Sequence, residues 1–200
     1  MCFPLRPTRD GYRLRITMKQ ALTTLLFVLC SVCVQAQTQS KAEPRTKLEN
    51  FQAKTGSVLI KNFSEIGNLT HLGELTVTSW EFVDAQTVKK EYGIGIEVKE
   101  SGRLEREDRA YVDYDEIDSL LAGIDYIAKI NRDQSKLKNF EAHYTTKGDL
   151  DVATFSSRER IEAVVSAGRI GRVSVYLPLD KLQKFRQMIV DAKAALDAAK

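Results

Sequence analysis

The sequence predicts an α+β domain in which antiparallel sheet packs against two helices, with the element order ββββα-ββββα. Eight short segments rich in β-branched and aromatic residues are separated by brief turn-forming or charged stretches. Two of these segments run directly into amphipathic helical patterns. The strand-plus-helix pattern of residues 109–130 recurs 65 residues later, in residues 174–195. Short connections of this kind favour antiparallel meanders.

The first set of strands comes before the first helix. These strands are assigned to Ser57–Phe63, Glu74–Val83, Glu91–Lys99 and Arg109–Tyr114. Gly93 and Gly95 share one face of the third strand, opposite its apolar residues. We therefore expect that face to accept close approach by another element.

The second strand changes phase along its length. Leu75 and Val77 alternate in one phase, whereas Trp80 and Phe82 alternate in the opposite phase. A bulge or twist near Ser79 would bring all four side chains to the same side of the sheet. We therefore expect an irregularity at that point.

The second half repeats this plan after a charged connector. The first helix is predicted from Asp115 to about Asn131, and the second from Asp180 to near the C-terminus, each with its aspartate as N-cap. The strands between the helices are assigned to Phe140–Thr146, Leu150–Phe155, Ile161–Ala167 and Arg172–Leu177.

The recurrence favours an internal duplication. Aligned residues are similar in chemistry at the 65-residue offset, and the pairs are Tyr111 with Tyr176, Val112 with Leu177, Asp115 with Asp180, Ile117 with Leu182, Leu120 with Phe185 and Ile124 with Ile189. The alternative is that any two amphipathic helices that follow strands can be aligned this well.

The N-terminal residues have the features of an export signal. Residues 18–36 combine a short basic start, an apolar run of 14 residues and small residues before Gln37, which predicts a signal peptide cleaved between Ala36 and Gln37. The run is too short for a membrane span, which needs about 20 apolar residues.

The rest of the chain divides into three further segments. Residues 1–17 either extend the leader or reflect a misassigned start, in which case the true start is Met18 and not Met1. Residues 37–47 are expected to be a flexible tether, and residues 48–200 a single domain.

Removal of the leader changes the composition. All three cysteines, Cys2, Cys30 and Cys33, lie within it, so the mature chain is expected to have no disulfide, thiol nucleophile or thiolate metal site. The 30 basic and 27 acidic residues become 25 and 26, because the leader holds five basic residues and one acidic residue. A nearly neutral domain gives no general attraction to nucleic acid or anionic lipid.

No motif in the chain indicates catalysis or a cofactor. The acidic segment 113–118 does not satisfy a calcium loop that begins at Asp113, which would need other residues at Ile117, Asp118 and Ile124. The two histidines, His71 and His143, lack the spacing of a zinc motif and are expected on the surface. We therefore predict no catalytic, cofactor-binding or metal-binding residue.

The element order resembles that of the Whirly and PUR-repeat single-strand nucleic-acid-binding proteins, which also repeat a four-strand-plus-helix unit. The resemblance is one of predicted topology, because the sequence contains no motif of either family. It implies single-strand nucleic-acid binding inside the cell. The export signal and the neutral charge of the mature chain argue against that function.

These observations favour an exported, non-enzymatic binding domain, periplasmic or extracellular, without a permanent membrane span. Its expected partner is a protein or a small apolar molecule held between sheet and helices. Six aromatic residues could line such a site, although aromatic residues in strands are usually core residues. They are Tyr92, Tyr111, Tyr114, Tyr144, Tyr176 and Trp80. The alternatives are a carboxylate-based hydrolase, which needs an acidic group of raised pKa in a cleft, and single-strand nucleic-acid binding by the analogy of topology.

Overall fold

The computed structural model describes residues 43–103, 105–134, 136–158 and 160–200. The described residues belong to one compact unit, Glu43–Lys200. The predicted leader, the signal peptide and residues 37–42 of the predicted tether lie outside the described residues.

In the described part of the chain, eight strands form two separate antiparallel sheets, each a meander in chain order. Sheet 1 contains β1 (Leu59–Thr70), β2 (Gly73–Asp84), β3 (Lys90–Glu100) and β4 (Arg106–Asp113). Sheet 2 contains β5 (Glu141–Thr145), β6 (Asp151–Ser157), β7 (Arg160–Ala167) and β8 (Val173–Pro178). Within the described residues, three α-helices complete the fold, namely α1 (Lys47–Ala53), α2 (Ile117–Ile127) and α3 (Leu179–Ala199). The predicted order ββββα-ββββα is confirmed, and α1 is an addition that was not predicted.

Each long helix covers the sheet of the other half. Helix α3, which follows sheet 2 in the chain, packs on β1, β2 and β3 of sheet 1, and α2 packs on β5 and β6 of sheet 2. The aligned helix residues Leu120, Ile124, Phe185 and Ile189 all lie fully buried in one continuous apolar core with both sheets. The two halves therefore exchange helices and share a core.

Two buried hydroxyl groups mark equivalent contacts in the two halves. Ser79 in β2 donates a hydrogen bond of 3.0 Å to the carbonyl oxygen of Ala192 in α3. Thr154 in β6 donates one of 2.9 Å to the carbonyl oxygen of Ile127 in α2. The two acceptors are 65 residues apart in the chain, which is the offset of the sequence repeat. The same contact made twice at this offset supports an internal duplication.

A second pair of equivalent contacts differs between the two halves. In sheet 1, Gly67 of β1 lies against Met188 of α3, with 3.8 Å between the Cβ that a side chain would add and the Met188 Cε. In the other half a large strand residue, Tyr144 of β5, lies against a helix glycine, Gly123 of α2. Since Met188 and Gly123 are also 65 residues apart, one half has the large residue on the helix and the other has it on the strand.

The prediction of an irregularity in β2 near Ser79 is wrong. The pairing of β2 with β3 is unbroken, and the one register shift in sheet 1 is in β1, between Glu65 and Gly67. Trp80 and Phe82 instead point away from the main core and pack in a second apolar cluster with α1. The change of phase therefore reflects burial of both sheet faces at this end of β2.

The predicted N-caps are also wrong. A 3-10 turn, Tyr114–Glu116, precedes α2, and the carboxylate of Asp115 accepts a hydrogen bond from the Lys47 ammonium instead of capping. The N-cap of α3 is Pro178, whose φ of −71° suits a helix start, and Asp180 lies in the first turn. An acidic residue there is still favoured by the positive end of the helix dipole.

The folded region begins before the predicted boundary at residue 48. Thr46 is fully buried and is the N-cap of α1, where its hydroxyl accepts a hydrogen bond from the amide of Glu49. The Glu49 carboxylate accepts one in return from the amide of Thr46, which completes a capping box. Thr46 and Lys47, predicted as the end of the tether, are therefore part of the domain.

Candidate functional site

Each sheet has an inner face toward the main core and an outer face on the opposite side. The outer face of sheet 1 carries Trp80, Phe82 and Tyr111, whose rings form a cluster with centroid separations between 5.6 and 6.4 Å. Helix α1 covers this cluster with Leu48 and Phe51, and all five side chains are buried. Leu48 and Phe51 are three residues apart, so they lie on the same face of the short helix.

The glycine face of β3 makes this packing possible, as predicted. A Cβ at Gly93 would be 2.7 Å from Cδ1 of Leu48, and one at Gly95 would be 2.6 Å from Nε1 of Trp80. Any larger residue at these positions would push α1 or the indole away. The outer face of sheet 1 is therefore shaped to accept α1.

Strand pairing identifies the equivalent residues on sheet 2. Trp80 pairs through Gly93 with Asp113, two residues after Tyr111. Phe155 pairs through β7 with Pro178, two residues after Tyr176. Phe155 is therefore the counterpart of Trp80 when Tyr176 is aligned with Tyr111. The rings of Phe155 and Tyr176 meet edge to face, with 6.0 Å between centroids. Sheet 2 thus repeats an aromatic pair on its outer face.

In the described part of the chain, no helix covers the outer face of sheet 2. Tyr176 is 48% exposed, whereas its counterpart Tyr111 under α1 is 8% exposed. A shallow depression of about 160 Å³ lies here, lined by Glu141, His143, Ala153, Phe155, Val164 and Tyr176. Its lining is both apolar and polar, and its volume is below the range of about 300 to 1,000 Å³ for small-molecule pockets. It suits a protruding side chain better than a whole ligand.

A polar row borders the depression. The buried carboxylate of Asp151 accepts hydrogen bonds from the Thr145 hydroxyl at 2.9 Å and from Arg172 at 3.1 Å, and it lies 3.1 Å from Nδ1 of His143. The hydroxyls of Ser166 and Ser174 are 2.9 Å apart in the same row across the sheet. The contact with Asp151 holds the His143 imidazole at the rim of the depression.

The titration of His143 tests this arrangement. Burial lowers the pKa of His143, but the hydrogen bond and charge of Asp151, with a smaller contribution from Glu141, outweigh it and raise the pKa above 6.5. The stabilisation from the charged imidazole is therefore complete below about pH 6.5 and disappears as the pH rises through the folded value.

We expect an NMR titration of the His143 ring protons to give a midpoint above 6.5, and Asp151→Asn to lower it. Glu141→Gln is the matched control with a smaller expected decrease, since Glu141 lies 3.5 Å away and is exposed. A midpoint that does not change in Asp151→Asn would contradict the contact.

The acidic residues of segment 113–118, which were considered as calcium ligands, have separate structural roles, and so does Asp149. Asp113 accepts hydrogen bonds from the amides of Lys47 and Leu48 in the first turn of α1. Asp118 pairs with Lys193 of α3. Asp149, at a turn with φ of 62°, pairs with Arg45 and Arg169. Among the described residues, no group of three or more His, Cys, Asp or Glu side chains is placed to hold a metal ion.

The hydrolase alternative required a carboxyl group of raised pKa in a cleft. Burial raises the pKa of Asp113, whereas the amide hydrogen bonds that it accepts lower it. This group holds α1 on sheet 1 and is not among the residues that line the depression on sheet 2. The raised pKa therefore has a structural cause.

The predicted aromatic candidates fall into two classes. Trp80 and Tyr111 are buried under α1, and Tyr92, Tyr114 and Tyr144 pack against the main core, as expected for strand aromatics. Tyr176 alone among these six candidates is exposed. Of the two histidines, His71 is exposed in the β1–β2 turn and His143 joins the candidate site. Phe155 was not among the predicted candidates.

The chain matches no family model, no curated protein and no solved structure. Within the described residues, none of the helices is both long enough and apolar enough to cross a membrane.

Proposed function

We propose that the protein is an exported, non-enzymatic interaction domain that binds a partner protein through the outer face of sheet 2. The observation that carries the proposal is the difference between two equivalent surfaces in the two halves of the fold. On sheet 1, the pair Trp80 and Tyr111 is buried under the apolar face of α1. On sheet 2, the pair Phe155 and Tyr176 has no such cover among the described residues.

The composition of the uncovered face supports a protein partner. Aromatic residues at the centre of a patch, with charged and hydrogen-bonding residues at its rim, are typical of protein interfaces. Here Phe155 and Tyr176 form the centre, and His143, Glu141 and Arg172 lie at the rim. The space between sheets and helices is filled by fully buried side chains, so a ligand there would have to displace the core.

The experiment is photo-cross-linking in intact cells. A photoreactive phenylalanine analogue replaces Tyr176, and the matched control places it at Tyr126, which is 72% exposed and lies on α2. We expect a discrete cross-linked protein from position 176 and none from position 126. Because Tyr176 is half exposed, its replacement should change the free energy of unfolding by less than about 1 kcal/mol.

Other outcomes would assign a different function to this face or contradict the proposal. A small apolar molecule released from the purified protein on denaturation, and lost in Tyr176→Lys, would assign the depression to a ligand. Tight, salt-sensitive binding of a single-stranded oligonucleotide would support the alternative suggested by topology. Equal cross-linking from positions 176 and 126 would contradict a binding face on sheet 2.

A further inference from the structure

Strand β1 is an exposed edge of sheet 1. Within the described residues, β2 is the only strand that pairs with it. Its first half carries exposed apolar side chains, including Ile60 at 46% and Phe63 at 67% exposure. A long edge strand with exposed apolar residues is a template for pairing with another strand. This edge is on the opposite sheet from the proposed binding face and is independent of that proposal.

The pairing with β2 fixes which backbone groups of β1 face outward. The carbonyl oxygen of Val58 accepts a hydrogen bond from the amide of Ala85, so Val58 and Ala85 form a hydrogen-bonded pair. Such pairs alternate along an antiparallel ladder, so even-numbered residues of β1 up to the bulge bond to β2. The amides and carbonyls of Lys61, Phe63 and Glu65 therefore point away from the sheet.

The sequence of this edge is complementary to itself. If two copies of β1 run antiparallel with Phe63 opposite Phe63, Lys61 of each copy lies opposite Glu65 of the other, and Asn62 lies opposite Ser64. Lys61 and Glu65 are exposed and take part in no ion pair among the described residues. Opposite charges directly across a strand pair stabilise it.

We propose that the protein forms a homodimer in which the β1 edges of two copies pair antiparallel about a twofold axis at Phe63. Sheet 1 of each copy then continues into the other as one eight-stranded sheet. The side chains of Lys61 and Phe63 lie on the outer face, where Lys61 is over the Phe82 ring and Phe63 is 4.8 Å from the Trp80 ring centroid. The paired Phe63 rings extend this aromatic row across the axis.

The bulge limits the paired segment. The register shift between Glu65 and Gly67 changes the direction of the following backbone groups, so the regular edge ends at Glu65. The charge pairs therefore lie at the two ends of the contact, and Phe63 lies at its centre. A register displaced by two residues would lose both charge pairs.

The test measures the dimer dissociation constant by sedimentation equilibrium. Lys61→Glu places two glutamates opposite each other at both ends, and Glu65→Lys places two lysines there. Each single variant should weaken the dimer at least about tenfold, because like charges directly opposite are destabilising. The double variant, which carries both Lys61→Glu and Glu65→Lys, should restore it.

The decisive arm mixes the two single variants. In the Lys61→Glu copy both positions of the edge are acidic, and in the Glu65→Lys copy both are basic. The mixture restores both charge pairs in the antiparallel register centred on Phe63, so it should form a heterodimer. Lys99→Glu, on another strand of the same sheet, is the control and should leave the dissociation constant unchanged.

Circular dichroism checks that each variant is folded. A monomeric wild-type protein up to about 1 mM would overturn the proposal, as would single reversals without effect.

Discussion

Replacing Gly123 by methionine should destabilise the domain by about 3 kcal/mol, at the upper end of the usual cost of overpacking. A Cβ at this position would lie no more than 2.6 Å from three ring atoms of Tyr144. The ring cannot rotate away freely, since its hydroxyl donates a hydrogen bond of 3.0 Å to the Ser119 hydroxyl. Glycine is a poor helix former, so a larger residue would otherwise stabilise α2 by up to about 1 kcal/mol.

The other half of the fold indicates the compensating change. Tyr144→Gly added to Gly123→Met reproduces the arrangement of the other half, in which Gly67 on the strand faces Met188 on the helix. Chemical denaturation of the wild type, both single variants and the double variant gives the coupling free energy. We expect the double variant to be more stable than Gly123→Met. If the two effects simply add, the two contacts are not equivalent.

Replacing Asp113 by alanine should release α1 from sheet 1 and cost about 2 to 3 kcal/mol, because an unsatisfied buried donor costs about 1 to 3 kcal/mol. Both carboxylate oxygens accept hydrogen bonds of 2.9 Å from the amide of Lys47, and the amide of Leu48 is 3.3 Å from one of them. Without the carboxylate, these partly buried amides lose their partner.

The single tryptophan of the chain reports this change. Trp80 lies under α1, so its emission should shift to longer wavelength and its quenching by acrylamide should increase in Asp113→Ala. Asp115→Ala is the matched control. It removes an exposed ion pair with Lys47, which is worth less than about 1 kcal/mol, and should leave the emission unchanged. Unchanged emission in Asp113→Ala would show that the carboxylate does not hold α1.

The eight strands and two long helices could be predicted because their patterns are local. Alternation along β3 and the helical spacing of Leu120 and Ile124 are visible in the sequence, and both patterns depend on which residues become buried. The exchange of helices could not be predicted, because the apolar face of a helix shows that it packs and not which sheet it packs on. Contacts such as those of Ser79 with α3 and Thr154 with α2 reveal the crossed arrangement.

Helix α1 was missed although its signal is present. Thr46 and Glu49 have the spacing of a capping box, and Leu48 and Phe51 follow as an apolar pair. Seven residues are too few for a helix to be stable alone, so the segment looks like the end of a polar tether. Missing α1 also caused the misinterpretation of Trp80, because a second buried face requires an element to cover it.

The candidate site could not be predicted either, because helix α1 was missed. Tyr176 and Tyr111 occupy equivalent positions in the repeat, and nothing local distinguishes a covered tyrosine from an exposed one. The distinction follows from the position of α1, which covers sheet 1 and not sheet 2. His143 was correctly expected near the surface, but its link to Asp151 depends on the pairing of β5 with β6.

The most direct test of a binding face on sheet 2 compares labelling of introduced cysteines in cells and in the purified protein. Residues 37–200 contain no cysteine, so Tyr176→Cys and Tyr126→Cys each add one thiol to the domain. The extent of maleimide modification at each position is measured by mass spectrometry. We predict that the thiol introduced at position 176 reacts fully in the purified protein and is protected in cells, whereas that at position 126 reacts equally in both. Equal labelling at position 176 in cells and in the purified protein would contradict the account.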